Sequence, residues 1–266
     1  MKTILQAVIS VAVLALSRPV LAQGTVAAPL PSVDVVLKRT VERSAKEDEN
    51  DRLFNERYGY TRTKVTEYRN SDGDLKKREE KKNQNNPVFK PASYSPPPAE
   101  TKTRSDHDAV VVEKNADGST KVRGKAYDKK DFSLSNDLFS RFRFTLAGRE
   151  MVNGRAALVL DFKPRSNDLP ERNIKDRFIN KAAGRIWVDE EDTVLARADL
   201  HLTEKVNLLG GLVGAVNGFR YQFDRERTPE GLWFTRAVNW RLEAREVFIR
   251  RVIDFHEERS GVKKAW

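Results

Sequence analysis

The chain has 266 residues, no cysteine, and 49 basic against 39 acidic side chains. The absence of cysteine excludes disulfides and thiolate metal sites, and a chain of this length can bury a core without them. A basic excess is compatible with nucleic acid or with anionic lipid headgroups, but residues of both signs interleave in segments such as 76–82. Interleaving of this kind is typical of solvated strand faces.

The first 22 residues have the pattern of a cleaved signal peptide. An uncharged, mostly apolar run covers 4–16, and Val20 and Ala22 place small residues at the −3 and −1 positions before Gln23. Arg18 interrupts the run too early for a membrane span. We therefore expect export to the periplasm, with secretion as the alternative, and we expect no nucleic-acid partner.

The N-terminal third predicts a helix, a hairpin and a loop. Apolar residues at helical spacing predict a helix over 32–54. Charged, β-branched segments at 58–70 and 75–83 flank the turn residues 71–74 and predict a solvent-facing hairpin. The proline-rich stretch at about 86–108 cannot join a sheet, so we expect it to form an exposed insertion.

Further elements follow from local signals. Short strands are predicted at 110–112 and 121–123, and a short helix near 135–140. Asn153-Gly154 is a strong hairpin signal, because a type I′ turn needs a positive φ at both positions. The segment 169–183 predicts a helix that ends before Gly184.

From position 141 to 258, large apolar residues recur at every second position. This period places them on one face of an antiparallel sheet and leaves the charged residues on the other face. Trp187 is out of phase with its neighbours, so its face is left open. The alternating positions are Phe142, Phe144, Leu146, Leu158, Leu160, Phe162, Val194, Ala196, Ala198, Leu200, Leu202, Phe219, Tyr221, Phe223, Phe234, Val238, Trp240, Leu242, Ile249, Ile253 and Phe255.

The segment 206–219 carries no charge over fourteen residues and contains four glycines. Two interpretations stay open, a buried connector under the sheet and a mobile apolar flap at the mouth of a cavity. Leu208, Leu209, Leu212 and Val213 are the flap candidates.

The sequence lacks the motifs of common catalytic and metal sites. It has no nucleophile elbow, no phosphate-binding glycine loop and no histidines at metal-ligand spacing. The acidic run 189–192 lies between two strands, where a charged turn is ordinary. We expect no enzyme activity, no metal and no cofactor.

Two segments carry a family resemblance. They are 144–160, Phe-Thr-Leu-Ala-Gly-Arg-Glu-Met-Val-Asn-Gly-Arg-Ala-Ala-Leu-Val-Leu, and 184–192, Gly-Arg-Ile-Trp-Val-Asp-Glu-Glu-Asp. With these two segments in this order, the chain resembles the outer-membrane lipoprotein-sorting-protein family, which is related to the periplasmic carrier LolA and to the lipid-binding domain of RseB. The resemblance covers about two thirds of the expected mature chain, and the proline-rich segment departs from it.

The resemblance implies a fold that agrees with the alternation. The expected fold is mainly β, an incomplete and curved antiparallel half-barrel with a few helices covering its concave apolar face. Residues 23–266 would form one such domain. An integral outer-membrane barrel is disfavoured, because Arg225, Arg236 and Arg251 fall in phase with the apolar face.

The resemblance also implies a function. We expect an envelope protein that binds acyl chains or another apolar ligand in the half-barrel, in lipid or lipoprotein trafficking to the outer membrane. A membrane-bound donor or acceptor protein and transient contact with a membrane surface are the other expected partners. The alternative is a sensor or scaffold module whose cavity is filled by its own helices. The candidate cavity residues are Phe142, Phe144, Leu146, Leu160, Phe162, Phe219, Tyr221, Phe223, Phe234, Trp240 and Leu242.

Overall fold

The alternating segments form one antiparallel sheet of ten strands in the computed structural model. The structure describes residues 29–88, 111–114, 120–123, 134–208, 214–246 and 249–266. The expected signal peptide and most of the proline-rich segment lie outside these residues. The helices are α1 (Val33–Ser44), α2 (Glu47–Arg57), α3 (Asn136–Ser140) and α4 (Ile174–Ile179).

The strands follow in chain order. They are β1 (Tyr58–Arg69), β2 (Leu75–Asn85), β3 (Val111–Lys114), β4 (Thr120–Arg123), β5 (Phe142–Val152), β6 (Arg155–Pro164), β7 (Ala182–Asp189), β8 (Leu195–Leu202), β9 (Val206–Leu208), β10 (Gly214–Arg227), β11 (Trp233–Glu246) and β12 (Ile249–Lys264). The turn between β5 and β6 has the expected geometry, with φ of +50° at Asn153 and +79° at Gly154.

The large sheet is open. Its strand order is β2-β1-β12-β11-β10-β8-β7-β6-β5, with β9 paired to β10, while β3 and β4 form a separate pair. β2 and β5 are therefore its two edges. With four helices and an unclosed sheet, the described part of the chain confirms the expected mainly-β half-barrel.

The first hydrophobic core joins three helices to one half of the sheet. Leu160 is fully buried and packs with Val36 of α1 and Ile179 of α4, and Leu138 of α3 borders the same cluster. We call this side of the sheet the helix face. Cross-strand pairing carries the face from Leu160 to Ile186, Ala198 and Phe223.

The predicted helix over 32–54 is two helices, and the expectation of a single one is wrong. The Ser32 side chain caps α1, and α2 starts anew at Glu47. Asn50 explains the second helix, since its buried amide donates to the Trp233 carbonyl at 2.7 Å and accepts from the Trp233 N–H at 2.9 Å. This pairing fixes α2 on the start of β11, a tertiary contact that helical periodicity cannot reveal.

The predicted helix over 169–183 is reduced to α4. Asn173 caps α4 by accepting the Asp176 N–H at 2.9 Å. The Asn180 amide donates to the carbonyls of Leu169 and Pro170, which holds the preceding residues as a loop. Ala182 already pairs with Leu202, so the last two positions belong to β7 instead.

A second core cluster lies apart from the first. Val194 and Ala196 pack here with Trp187 and Trp233, so their expected place on the same face as Ala198 is wrong. The reason is a register shift in the β7–β8 ladder, where Trp187 pairs with Arg197 but Val188 pairs with Leu195. A bulge of this kind reverses the alternation beyond it.

The other side of the large sheet, which we call the polar face, carries ion pairs between neighbouring strands. Arg220 reaches Asp199 at 2.8 Å, Arg185 reaches Asp161 at 2.6 Å, and Arg241 reaches Asp254 at 3.0 Å. Charged residues thus occupy many positions out of phase with the helix face, as the alternation predicts, while Val159 and Trp187 of the second core cluster lie on this face too.

Candidate functional site

An apolar surface continues the helix face beyond the helices. It lies on β10, β11 and β12, and each of its side chains is half-buried. We call it the aromatic strip. Its members are Phe219, Tyr221, Trp240, Leu242, Ile253 and Phe255.

Cross-strand pairing holds the strip together. Tyr221 is opposite Trp240, which is opposite Phe255, and in the next row Leu242 stands between Phe219 and Ile253. The Trp240 and Phe255 rings are stacked, with centroids 5.1 Å apart and an angle of 12° between their planes. The strip therefore offers ring faces and aliphatic groups along three adjacent strands.

The strip meets the first core at Phe223. This half-buried residue packs against the core, and its ring lies 6.1 Å from that of Tyr221. The apolar surface is thus continuous from the buried half of the sheet to the half-exposed strip.

The predicted cavity residues fall into three groups. Phe219, Tyr221, Trp240 and Leu242 belong to the strip. Phe142, Phe144, Leu146, Leu160 and Phe162, with Phe223 at the border, belong to the first core or pack against it. Phe234 packs separately, with its ring 4.8 Å from Phe54 of α2.

Ile253 and Phe255 join the strip without having been among the predicted site residues. Their alternation along β12 was a sufficient signal, since each falls in phase with the apolar face. The flap candidate Leu208 is the last residue of β9 and pairs with Gly214. The other three candidates lie outside the described residues, so the flap stays a prediction.

One end of the strip is acidic in an otherwise apolar row. Glu257 is opposite Val238 on one side and Lys64 on the other, and its carboxylate lies 3.1 Å from the Lys64 ammonium. Burial, assisted by the charge of Glu257, raises the pKa of the Tyr221 phenol to about 12. The phenol is therefore neutral at physiological pH.

The side of the strip next to β1 is polar and basic. Thr66 is opposite Phe255, and Tyr68 is opposite Ile253. The Lys77 ammonium of β2 lies 5.8 Å from the centre of the Tyr68 ring and 2.6 Å from the Glu79 carboxylate. Hydroxyl groups and ammonium groups thus border the apolar surface.

A hollow of about 450 Å³ lies on the polar face behind the strip. Gln222, Asn239 and His256 occupy consecutive strands in it, and the His256 Nδ1 lies 2.6 Å from the Asn239 Oδ1. Most of its lining residues are charged or hydrogen-bonding, and Val65, Trp240 and Phe255 line it as well.

The acidic run 189–192 is a structural turn. The Asp189 carboxylate is 2.6 Å from Arg155, and that of Asp192 is 2.6 Å from Arg227. Among the described residues, no group of three or more metal-ligating side chains comes together. In the same part of the chain, no helix has the length and apolar character needed to cross a bilayer.

Sequence comparisons identify no relative of this chain. No protein-family model matches it. No curated protein matches it significantly.

Solved structures do match. An outer membrane lipoprotein-sorting protein domain from Vibrio parahaemolyticus is 10% identical, covers 86% of this chain and 93% of its own, and has a TM-score of 0.35. A LolA superfamily protein from Nitrosomonas europaea is 10% identical, with coverages of 86% and 94% and a TM-score of 0.28. The MucA/MucB complex of Pseudomonas aeruginosa gives 12% identity, coverages of 85% and 94%, and a TM-score of 0.23.

The first two of these matches carry the names that the sequence resemblance predicted. Identities and TM-scores this low transfer no ligand, partner or activity to this chain.

Proposed function

We propose that this chain is a periplasmic protein that binds acyl chains of a lipid or lipoprotein on the aromatic strip. The observation that carries the proposal is the half-exposure of six large apolar side chains on three neighbouring strands. A sheet face of this kind is normally covered, because apolar surface in contact with water costs about 25 cal/mol per Å². An acyl chain has the apolar character and the extended shape to cover it.

The polar groups at the border of the strip favour an amphiphilic ligand over a plain hydrocarbon. Thr66 and Tyr68 offer hydroxyl groups beside the strip, and Lys64 offers an ammonium at its end. Binding sites for amphiphiles combine an apolar lining with a few polar groups that orient the headgroup. In this arrangement the acyl chain lies along β10–β12 and its polar group lies towards β1.

A carrier also has a physical purpose in the envelope. Each methylene group buried in a membrane is worth about 0.8 kcal/mol, so a lipid with long acyl chains does not leave a bilayer unaided. A protein surface that replaces the bilayer lowers this cost.

A fluorescent fatty acid tests the proposal. In an equilibrium titration, Trp240→Ser and Phe255→Ser should each weaken binding by about 5- to 30-fold, since each removes roughly 1–2 kcal/mol of aromatic contact. Asn239→Ser and Asp254→Ser are matched controls, because each neighbours a strip residue in the same strand but occupies the polar face. Equal effects of strip and control variants would overturn the proposal.

One observation favours the alternative function. On the β5–β8 half of the sheet, helices α1, α3 and α4 already cover the apolar face, so this half is filled by the protein itself. A sensor or scaffold would need no free space. Native mass spectrometry of the purified chain separates the two functions, since a carrier is expected to retain lipid and a scaffold is not.

A further inference from the structure

Four strands have their ends side by side at one end of the sheet. Leu208 pairs with Gly214, Gly214 pairs with Glu246, and Glu246 pairs with Ile249. Along the chain, residues 209–213 connect the first two strands and residues 247–248 connect the last two. Neither connection contains a charged or polar side chain in its sequence.

Three arginines stand beside this end on β11 and β12. Arg245 is directly opposite Arg250, and Arg251 is opposite Ala244. Like charges in directly opposed positions of a sheet oppose folding. The Arg250 guanidinium forms an ion pair with the Glu243 carboxylate at 2.8 Å, whereas Arg245 forms no ion pair with a described residue. Arg245 therefore leaves a positive charge available for an outside anion.

An exposed aliphatic side chain accompanies the arginines. Ile249 is 59% exposed at the first position of β12. By alternation Ile249 belongs to the row that continues through Arg251, Ile253 and Phe255, so the row leads from this end of the sheet into the aromatic strip. We call Arg245, Ile249, Arg250 and Arg251 the arginine tip.

We propose that the arginine tip docks on the surface of an anionic lipid bilayer. Arginines close to an anionic membrane surface gain roughly 5-fold in affinity each, about 1 kcal/mol, and an aliphatic residue at the same end of the sheet can enter the headgroup region. The proposal rests on the proposed function in one respect, because the bilayer is the source or destination of the acyl chains. Docking by this end of the sheet places Ile249, the start of the β12 row that leads into the aromatic strip, against the lipids.

The test is flotation of the purified chain with vesicles of phosphatidylcholine, with and without phosphatidylglycerol. The wild type should float with phosphatidylglycerol vesicles and lose this association at high salt, since salt screens surface charges. The double variant Arg245→Glu/Arg250→Glu should bind roughly 25-fold more weakly or worse. Ile249→Asp should also lose most of the association.

Two control variants lie at the opposite end of the sheet. Met151→Asp removes an apolar side chain that is 67% exposed beside the β5–β6 turn, and Lys263→Glu reverses an exposed charge near the end of β12. Both should float like the wild type. Thermal unfolding of all variants confirms that each is folded.

The fluorescent fatty acid titration keeps this proposal separate from the proposed function. The arginine-tip variants should bind the soluble probe as the wild type does, because the strip is intact. The docking proposal is overturned if the wild type does not float, if the tip variants float unchanged, or if they lose the soluble probe as well. If strip variants lose the fluorescent fatty acid but still float with the vesicles, acyl-chain binding and membrane docking depend on different residues, as proposed.

Discussion

Gly184 controls the register that connects the core to the aromatic strip. It stands opposite Phe162 on β6 and Leu200 on β8, and Leu200 stands opposite Tyr221. Its φ is +157°, and a Cβ added there would lie 2.1 Å from the Asp199 carbonyl oxygen and 2.7 Å from the Leu200 Cα. Both of these atoms belong to the backbone, so no side-chain rotation can relieve the contact.

We predict that Gly184→Ala destabilises the fold by about 3–5 kcal/mol. Backbone strain accounts for about 1–2 kcal/mol, and the separation of β7 from β8 accounts for the rest. The change corresponds to a fall in Tm of roughly 10 °C for a chain of this size. The variant should also weaken fatty acid binding, because β8 positions β10.

Gly148 provides the matched control. Its φ is +143°, but a Cβ added there meets no atom within 4 Å. Gly148→Ala should therefore cost only the backbone strain of about 1–2 kcal/mol. Urea unfolding of both variants measures the difference. If the two free energies of unfolding agree within about 1 kcal/mol, the register assigned to β7 and β8 is wrong.

Three further predictions concern charged and titrating groups. The Tyr221 pKa is raised to about 12 from an unfolded value near 10. The free energy of unfolding should therefore be unaffected by this group below pH 10 and fall by up to about 2.7 kcal/mol towards pH 12. Tyr221→Phe should remove this loss in alkaline urea titrations. Arg141→Ala should cost about 3 kcal/mol of unfolding free energy, since it removes the buried cation 3.2 Å from the Asp176 carboxylate and leaves only the exposed Arg172 at 4.0 Å; an effect below 1 kcal/mol would contradict this. Burial alone would raise the pKa of Asp224, but hydrogen bonds from Arg236 and Arg197 lower it. The wild type should therefore be more stable than Asp224→Asn at neutral pH, and this difference should shrink as the pH falls below about 4. Unfolding at stepped pH measures the difference.

Local signals in the sequence predicted much of the fold. The positive φ values at Asn153 and Gly154 follow from residue type, and the long period-two segments became β10, β11 and β12. Tertiary contacts decided the rest. The break between α1 and α2 follows from the Asn50–Trp233 bonds, and the displacement of Ala196 follows from a bulge, neither of which alternation encodes.

The sequence predicted which side of the sheet the candidate site residues lie on, but it did not predict how exposed their side chains are. Alternation placed Leu160 and Trp240 on the same side of the sheet. It could not tell that helices would bury Leu160 completely and leave Trp240 half-exposed, because that depends on where three short helices pack. The division of the helix face into a filled half and an open strip is therefore information from the tertiary structure.

Photo-crosslinking with a diazirine fatty acid locates the bound acyl chain on the sheet. The purified chain is labelled, digested and mapped by mass spectrometry, with excess unlabelled fatty acid as competitor. If acyl chains bind on the aromatic strip, strip residues within 219–221, 240–242 and 253–255 should carry labels that the competitor reduces. Labels confined to polar-face residues such as Asn239 and His256, or labels that the competitor does not reduce, would contradict it.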